Sequence, residues 1–392
     1  MLAFWFCAGL AQCGLLYLLA RCGRALIRKA EEERAAARFA PQGGWPRAAM
    51  IIPVAGAHPR MADALKSLLN QDYPNLMPVL VTATAEEPAA DLIRRLREDF
   101  PAVRHVTAGP AQGCGQKNHN SLQGVAAVGD AADIYIFCDS THLARPDFAR
   151  CLAGPVARGE AAFSTGYHTV EPRDQRPVTL AYALSVLLMR FLQALSAFTQ
   201  PWGGAMAMSR DAFKRYGVAE LWAHNVVDDC SLGALLQRRG APVRLCAAAL
   251  LGTEAEDHSL PVWRAWMERQ VLFLKFCMPG QWLLLGVLAG LMVLPPVCAA
   301  LALLGGLLGL GSAAASLLAL LWLAALLGAL GPWRDFLPRP VPLGLWLWAF
   351  VCAVGMFALV YLRSVSARVI VWRDRVYTVG RGGSVLNVRR RF

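Results

Sequence analysis

Charged residues are scarce in this chain. Only 17% of the 392 residues are charged, whereas 56% are hydrophobic and the mean hydropathy is +0.40. These values exclude an ordinary soluble enzyme and indicate membrane segments. The apolar residues are concentrated at Met1–Ala20 and Trp282–Leu362, and the sequence between these stretches has the polarity of a globular domain. We therefore expect membrane segments on both sides of a globular domain.

Paired cysteines and nucleic-acid motifs are also missing. The 11 cysteines are scattered, with no C-x-x-C pair and no zinc-like spacing, so neither a disulfide framework nor a structural zinc site is expected. The net charge is +12, but no basic patch interleaved with aromatic residues accompanies it, and nucleic acid is not an expected partner. The cations beside the apolar segments and at Arg389–Arg391 suit an anionic lipid surface instead.

The first apolar run, Met1–Ala20, is long enough to cross a bilayer, which takes roughly 20 residues. Four cations follow it: Arg21, Arg24, Arg28 and Lys29. They place the following chain in the cytoplasm by the positive-inside rule. A cleaved signal peptide is the alternative, but no Lys or Arg precedes the run and no small-x-small cleavage site follows it. We predict an anchor and basic flank at 1–29 and a linker at 30–47, with the globular domain on the cytosolic side of an inner membrane.

Residues 48–278 alternate between strand and helix patterns. Strands are expected at Ala48–Val54, Pro78–Thr82, Val103–Thr107 and Ile134–Cys138, with amphipathic helices between them. This alternation predicts an α/β domain with a largely parallel sheet covered by helices on both faces. Ligands of such sheets bind at the carboxyl ends of the strands.

The C-terminal part contains the longest uncharged stretch, from Gln281 to Leu330. We predict membrane helices over 279–370 and a basic tail over 371–392, with a bilayer-surface or buried helix at 178–198. Three C-terminal spans after one anchor would put the basic tail outside, against the positive-inside rule. We therefore expect one C-terminal apolar segment to be interfacial or re-entrant.

The apolar strand Ile134–Cys138 leads directly to Asp139. A carboxylate there can hold a divalent cation that bridges the two phosphates of a nucleotide sugar. The alternative is an Asp that caps the next turn. His142 and Asp147 lie close in sequence and either add to the site or are only solvated.

Two further carboxylates, Asp228 and Asp229, open a helix that Gly240 ends. Asp229 is placed to take a proton from an attacking hydroxyl, whereas Asp228 can equally be a helix N-cap. Upstream, Gly203 and Gly204 let the backbone approach a ligand closely, with a tight turn as the alternative.

A cationic and aromatic run precedes the C-terminal apolar stretch. Its members are Trp263, Arg264, Trp266, Arg269, Gln270 and Lys275. Arginine can bind a diphosphate bidentately and Trp can stack on a sugar or a lipid, but Arg and Trp next to a membrane segment are also the usual interface belt.

In order along the chain, these segments resemble glycosyltransferase family 2 and, more closely, its ceramide glucosyltransferase-like branch, family 21, which includes hopanoid-associated bacterial members. The residues that carry the resemblance are Met50–Val54, Leu65–Pro74, Lys117–Leu122, Cys138–Ser140, Phe163–Pro172, Gly203–Arg210, Val371–Tyr377 and Gly382-Gly383. The resemblance implies a GT-A nucleotide-diphosphate-sugar transferase fold, here with N-terminal and C-terminal transmembrane helices.

The resemblance also implies roles for individual residues. Asp139 would bind the metal and the nucleotide sugar, Asp229 would be the general base, and Lys117 and Arg269 would contact phosphate. We place Asp228 on the donor side as well. On the acceptor side we place His168, Trp202, Gly203, Gly204 and Trp266.

Two positions depart from the family pattern. The first acidic position has no clean equivalent, and Glu86 or Glu87 is the nearest candidate. The (Q/R)-x-x-R-W motif is incomplete in each register, and only Arg269 is common to both.

The resulting prediction is an inverting hexosyltransferase that uses Mg²⁺ or Mn²⁺ and moves a sugar, with UDP-glucose as the expected donor, onto a membrane lipid such as ceramide. A hopanoid, diacylglycerol or polyprenyl-phosphate acceptor is an alternative. A processive polysaccharide synthase and a non-catalytic lipid-binding relative are the other readings.

Overall fold

A computed structural model describes residues 2–390, with side chains described from residue 5 onward. The helices are α1 (Leu2–Ala37), α2 (Met61–Leu69), α3 (Pro88–Asp99), α4 (Gln116–Val128), α5 (Phe148–Ala157), α6 (Pro177–Leu192), α7 (Arg210–Arg215), α8 (Val218–His224), α9 (Asp229–Arg238), α10 (Leu260–Cys277), α11 (Pro279–Leu307), α12 (Ala313–Leu330) and α13 (Leu343–Ser366). The strands are β1 (Ala48–Pro53), β2 (Leu76–Thr82), β3 (Arg104–Thr107), β4 (Ile134–Cys138), β5 (Phe163–Pro172), β6 (Ala205–Ser209), β7 (Val243–Ala255), β8 (Val369–Trp372), β9 (Arg375–Val379) and β10 (Val385–Arg390).

Seven strands form the central sheet in the order β3-β2-β1-β4-β6-β5-β7. The first four run parallel, β6 is antiparallel to both of its neighbours, and β5 and β7 are parallel to each other. All residues of β4 are buried, which explains why its sequence is continuously apolar rather than alternating. The predicted α/β fold class with a parallel central sheet is confirmed.

The strands expected at the sequence level are present with small boundary shifts. Strand β4 has the predicted bounds, whereas β2 begins at Leu76 and β3 begins at Arg104. The reversal of β6 was not part of the expectation, because the direction of a strand depends on its long-range pairing and not on its residue pattern.

Four helices are long and apolar enough to cross a membrane: α1 from Trp5, α11, the helical stretch Ala313–Phe336 that contains α12, and α13. Helices α1, α11 and α12 pack against one another. These helices fit a membrane association of the chain. The division of the chain into the segments proposed above stays a prediction.

Helix α13 differs from the other three because both of its ends meet the globular part. Before its first turn, Gln175 donates a hydrogen bond to the carbonyl of Pro340 at 3.4 Å. At its last turn, the Lys275 ammonium donates to the carbonyls of Ser364 and Ala367 at 2.6 and 2.7 Å. Between these ends α13 lies along α6, which itself packs on β5. The expectation of one interfacial C-terminal segment stays a prediction.

The basic tail folds back onto the globular part as a small antiparallel sheet, β10-β9-β8. The Val226 amide donates to the Gly383 carbonyl at 3.0 Å, and the hydroxyl of buried Tyr377 accepts from the Gln116 amide at 3.5 Å. The tail and the globular domain therefore lie on the same side of any membrane that α11 and α12 cross as a pair.

Candidate active site

The candidate site lies at the carboxyl ends of β1 and β4. Asp139 follows the last residue of β4, and α9 begins at Asp229, directly after Asp228. Helix α4 contributes Lys117 from its first turn. More than a hundred residues separate Lys117 from Asp229 in sequence. The structure brings the four side chains together because the carboxyl ends of the parallel strands lie at the same edge of the sheet.

Lys117 is the centre of this cluster. Its ammonium lies 2.8 Å from Asp139 Oδ1 and 2.9 Å from Asp228 Oδ2, and it donates to the Gly203 carbonyl at 2.9 Å. Burial lowers the pKa of Lys117, but the two carboxylates outweigh burial and the net direction is upward. Asp228 occupies the N-cap position of α9, yet its side chain makes no capping hydrogen bond and instead faces Lys117. Lys117 therefore forms ion pairs with both carboxylates at once.

Gly203 and Gly204 hold the cluster together through their backbone. The Gly203 amide donates to Asp229 Oδ2 at 2.9 Å, and the Asp139 amide donates to the Gly204 carbonyl at 3.3 Å. A Cβ atom on Gly203 would lie 2.5 Å from Asp228 Oδ2 and 2.6 Å from Lys117 Nζ. Only glycine fits there, so these residues form more than a generic tight turn.

Asp229 is the carboxylate with the most unusual environment. Burial raises its pKa to about 6, with a further contribution from Asp228, although Lys117 and the amides of Gly203 and Cys230 act in the opposite direction. Asp139 shows the reverse balance. Burial raises its pKa, but Lys117 and then His142 outweigh burial and the net direction is downward. The two carboxylates are thus set for different tasks, one to accept a proton and one to stay charged.

An aromatic cluster lies beside Asp139. Trp202 stacks on His168 with ring centroids 4.8 Å apart, and His142 lies 5.4 Å from Trp202. His142 Nδ1 and His168 Nδ1 lie 2.7 and 2.9 Å from the same hydroxyl, that of Thr253 on β7. Burial lowers the pKa of both histidines, so both are neutral at pH 7. His142, left open by the sequence, therefore belongs to the site.

Three further residues differ in how they relate to the site. No motif in the sequence points to Thr253, because only the pairing of β5 with β7 brings it beside the histidines. Trp266 contacts Tyr182 edge to face and does not line the cavity described next. Asp147 forms a surface ion pair with Arg145 and takes no part in the site.

A largely apolar cavity of about 220 Å³ extends from Asp229 and Trp202 into the membrane helices. Its walls are side chains of α1, α6, α10, α11, α12 and α13, among them Leu16, Leu188, Met267, Leu288 and Phe357. Near Asp229 the lining includes the polar side chains of Gln193, Gln200 and Gln270. The cavity therefore joins an ionisable carboxylate at one end to membrane-embedded side chains at the other.

A second group of cations lies at the end of β1. Arg373, in the turn between β8 and β9, donates to the Ala55 carbonyl at 3.1 Å. Burial lowers the pKa of Arg269, and the nearby positive charge of Arg373 lowers it further. Neither has a carboxylate within 4 Å in the described part of the chain. The Gly56 amide donates to Glu87 Oε2 at 3.1 Å, whereas Glu86 points into solvent.

Arg373 is held just beyond the end of β1, the strand next to the one that leads to Asp139. The register of β1 and β4 pairs Ile51 with Phe137, and two residues further along each strand Pro53 is level with Asp139. Neighbouring strands are about 4.8 Å apart, so the Ala55 carbonyl that holds Arg373 is on the order of 10 Å from Asp139. Of the two predicted acidic candidates, Glu87 is the one held at this edge, and neither forms an ion pair or hydrogen bond with Lys117 in the described residues.

The residues at this edge fit a divalent cation that is held partly by substrate phosphates. Among the described residues no group of three or more His, Cys, Asp or Glu side chains could hold a metal ion alone. Asp139 Oδ2, however, faces His142 Nε2 at 3.9 Å, and Thr253 orients that ring from its other nitrogen. Mg²⁺ in nucleotide sites is commonly held by one or two carboxylates plus substrate phosphates, and Asp139 with its neighbours matches that arrangement.

Two solved structures were found to be similar to this chain, and the first of them supports the fold. A mannosyltransferase from Pyrobaculum calidifontis, solved with GDP-mannose and Mn²⁺, is 17% identical with a TM-score of 0.52, over 88% of this chain and 99% of that chain. Glucosyl-3-phosphoglycerate synthase from Mycobacterium tuberculosis, solved with Mn²⁺, UDP and phosphoglyceric acid, is 18% identical with a TM-score of 0.38, over 62% of this chain and 81% of that chain.

The sequence itself gives the family. The model of glycosyl transferase family 21 matches residues 10–385, which include the sheet, the membrane helices and most of the tail. The protein is therefore a nucleotide-sugar glycosyltransferase, and the chain belongs to glycosyl transferase family 21.

Proposed function

We propose that this protein is an inverting hexosyltransferase that transfers a sugar, with UDP-glucose as the leading donor, to a hydroxyl of a membrane lipid such as ceramide. The observation that carries the proposal is the apolar cavity, which begins at Asp229 and continues between the membrane helices. A lipid whose hydroxyl reaches Asp229 can leave its hydrocarbon between Leu188, Leu288 and Phe357. A soluble acceptor would not need such a lining.

Asp229 acts as the general base in this proposal. As the acceptor hydroxyl approaches, Asp229 takes its proton and the hydroxyl oxygen bonds to the anomeric carbon. The bond from that carbon to the diphosphate oxygen breaks, and the nucleoside diphosphate leaves from the opposite face. A carboxylate with a pKa near 6 is both ionised at neutral pH and basic enough to assist the attack.

The donor lies along the carboxyl edge of β1 and β4. The cations Lys117, Arg269 and Arg373 face this edge, and Asp139 with His142 would hold a Mg²⁺ or Mn²⁺ ion against the donor phosphates. Such an ion neutralises charge on the departing diphosphate. The mannosyltransferase of similar fold was solved with Mn²⁺ and a nucleotide sugar, which supports this expectation. His168 and Trp202 would then form the wall between the donor sugar and the acceptor cavity.

The topology supports a cytosolic catalytic domain. The cations in the second half of α1 and those of the tail fall on the same side as the globular part, as the positive-inside rule requires. We propose that residues 48–278 form the catalytic domain and that the tail from residue 371 completes it. The lipid acceptor would enter from the membrane leaflet next to this domain.

The test is transfer of radiolabel from UDP-glucose, and from a panel of other nucleotide sugars, into lipid by the purified full-length protein in lipid nanodiscs. Ceramide, diacylglycerol and a hopanoid are offered in parallel. Asp229→Asn should lower kcat by about 10²–10⁴-fold, the range for losing a general base. Asp211→Asn, which changes an exposed carboxylate on α7, is the matched control and should keep full activity.

Two results would contradict the proposal. One is full transfer activity of the Asp229→Asn variant, which would show that Asp229 is not the general base. The other is labelled product that stays in the aqueous phase with every donor, which would exclude a lipid acceptor while leaving the family assignment intact.

A further inference from the structure

A second cavity, of about 280 Å³, lies where α1 leaves the apolar region. Its walls come from α1, β5, β7, α6 and the segment 335–338, and it contains neither Asp139 nor Asp229. The lining includes two arginines, Arg34 of α1 and Arg190 of α6. This cavity is separate from the one that reaches the candidate active site.

Arg190 is buried without a counter-charge. Its side chain is 8% exposed, and it forms no hydrogen bond or ion pair with any residue that the structure describes. Burial, and then the positive charge of Arg34, lower its pKa to about 10, and no carboxylate of the described residues acts in the opposite direction. A buried and unpaired guanidinium is costly by several kcal/mol, so an anion in the cavity would stabilise it.

Arg34 is a second arginine of this cavity whose guanidinium lacks partners in the described part of the chain. Its Nε atom is buried and has no hydrogen-bond partner. The two carboxylates on the wall are engaged elsewhere, since Glu171 lies 3.9 Å from Arg173 and Asp335 lies 3.8 Å from Arg24. Neither guanidinium of the cavity therefore forms an ion pair with an acidic side chain that the structure describes. Paired guanidiniums are the groups best suited to bind phosphate oxygens bidentately.

The depth of the cavity points to the source of the phosphate. On α1, the apolar run ends at Ala20, and Arg24 and Arg28 are exposed one and two turns later. Ile27 of the cavity wall lies between them and is 44% exposed. Cations at the end of a spanning helix lie at the level of lipid headgroups, so the cavity opens at that level.

We propose that Arg34 and Arg190 form a binding site for the phosphate of an anionic phospholipid, separate from the catalytic cavity. This proposal does not depend on the identity of the sugar or the acceptor. The bound lipid would tie α1, α6 and the sheet together where the globular domain meets the membrane.

The test is binding of fluorescent phosphatidylglycerol and phosphatidylcholine to the full-length protein in detergent micelles. The wild type should prefer phosphatidylglycerol by about tenfold or more, the value of one charge-assisted contact. Arg190→Gln and Arg34→Gln should each reduce this preference to about twofold or less. Arg28→Gln, an exposed cation on the same helix without an ion pair, is the matched control and should keep the wild-type preference.

Inorganic phosphate distinguishes the two possible sources. If millimolar phosphate displaces the labelled lipid, the site also accepts free phosphate, and if it does not, the site requires the lipid. Either result supports a phosphate site. The proposal is overturned if the wild type binds both lipids equally, or if both glutamine variants keep the wild-type preference. Arg190→Lys, which keeps the charge, covers the case in which Arg190→Gln does not fold, and it should retain an intermediate preference.

Discussion

The two ends of the catalytic cavity are built in opposite ways. At the inner end, Lys117, Asp139, Asp228 and Asp229 form a compact charged cluster fixed by contacts of 2.8–2.9 Å. At the outer end, apolar side chains of six helices form the wall. The first arrangement fixes a reaction geometry, whereas the second excludes water and accepts hydrocarbon. A substitution at the inner end should therefore change kcat, and one at the outer end should change the KM for the acceptor.

The largest effect is expected from Lys117→Met, which removes the charge at the centre of the inner end. Buried Asp228 and half-buried Asp139 would both lose their counter-charge, so we expect a loss of about 3–5 kcal/mol in stability together with near-complete loss of transfer. Thermal unfolding and the lipid-labelling assay measure both.

Lys66→Met is the control for this substitution, because Lys66 forms only an exposed ion pair with Asp99. If Lys117→Met unfolds at the wild-type temperature, the inner end is not held together by the ion pairs described here.

The pH profile of kcat/KM is the second way to examine the inner end. Because the pKa of Asp229 is raised to about 6, the base is protonated below that pH, and activity should fall about tenfold for each further pH unit. Asp228→Asn removes one of the charges that raise this pKa, so the acidic limb should move to lower pH. A wild-type limb near pH 4 would show that Asp229 titrates as an ordinary exposed carboxylate.

The contrast between the ends also explains what the sequence could predict. Asp139 and Asp229 follow a buried strand and open a helix, and such local signals are visible in a linear pattern. The resemblance to family 21 was confirmed, and so was the α/β fold with a parallel sheet. The roles assigned to the individual residues stay predictions.

The outer end leaves no such signal. Its residues are spread from Leu15 to Phe357 and resemble any other membrane-helix residues, so only packing shows which of them face the cavity. Thr253 and Arg373 were missed for the same reason. Arg373 reaches Ala55 across 318 residues of sequence, and no local pattern records that contact.

Leu288→Trp examines the outer end directly. The larger side chain would fill part of the 220 Å³ cavity, and we expect the KM for the lipid acceptor to rise about tenfold, the cost of roughly 1–3 kcal/mol for overpacking. The KM for the nucleotide sugar should not change. Val287→Trp is the control, because Val287 is 68% exposed and does not line the cavity. Equal effects of both variants on the acceptor KM would show that the cavity does not bind the acceptor.

The smallest effect is expected from Arg373→Gln, at a point that belongs to neither end. Arg373 is held over the carboxyl edge of β1 by the turn between β8 and β9, where its own φ is +56°, and it faces Arg269 without a carboxylate between them. Two unpaired guanidiniums at the donor edge repel each other until an anion binds between them. Removing one should therefore weaken the binding of the donor diphosphate more than the binding of the acceptor. We expect the KM for the nucleotide sugar to rise about three- to tenfold, with the acceptor KM unchanged, as for one partly exposed charged contact.

Arg381→Gln, in the same tail on the short turn before β10, is the control for Arg373→Gln and should leave the donor KM at its wild-type value. The pair separates two accounts of the tail. If Arg373 acts on the donor, the effect follows that residue and fades at high salt, because a screened charge pair loses its attraction. If Arg373 only braces β1 through the Ala55 carbonyl, its loss should change the donor KM and the acceptor KM together, and salt should make no difference. The first account is the one that the geometry favours, because neither Arg373 nor Arg269 has a carboxylate within 4 Å in the described residues, and both charges are therefore available to an anion.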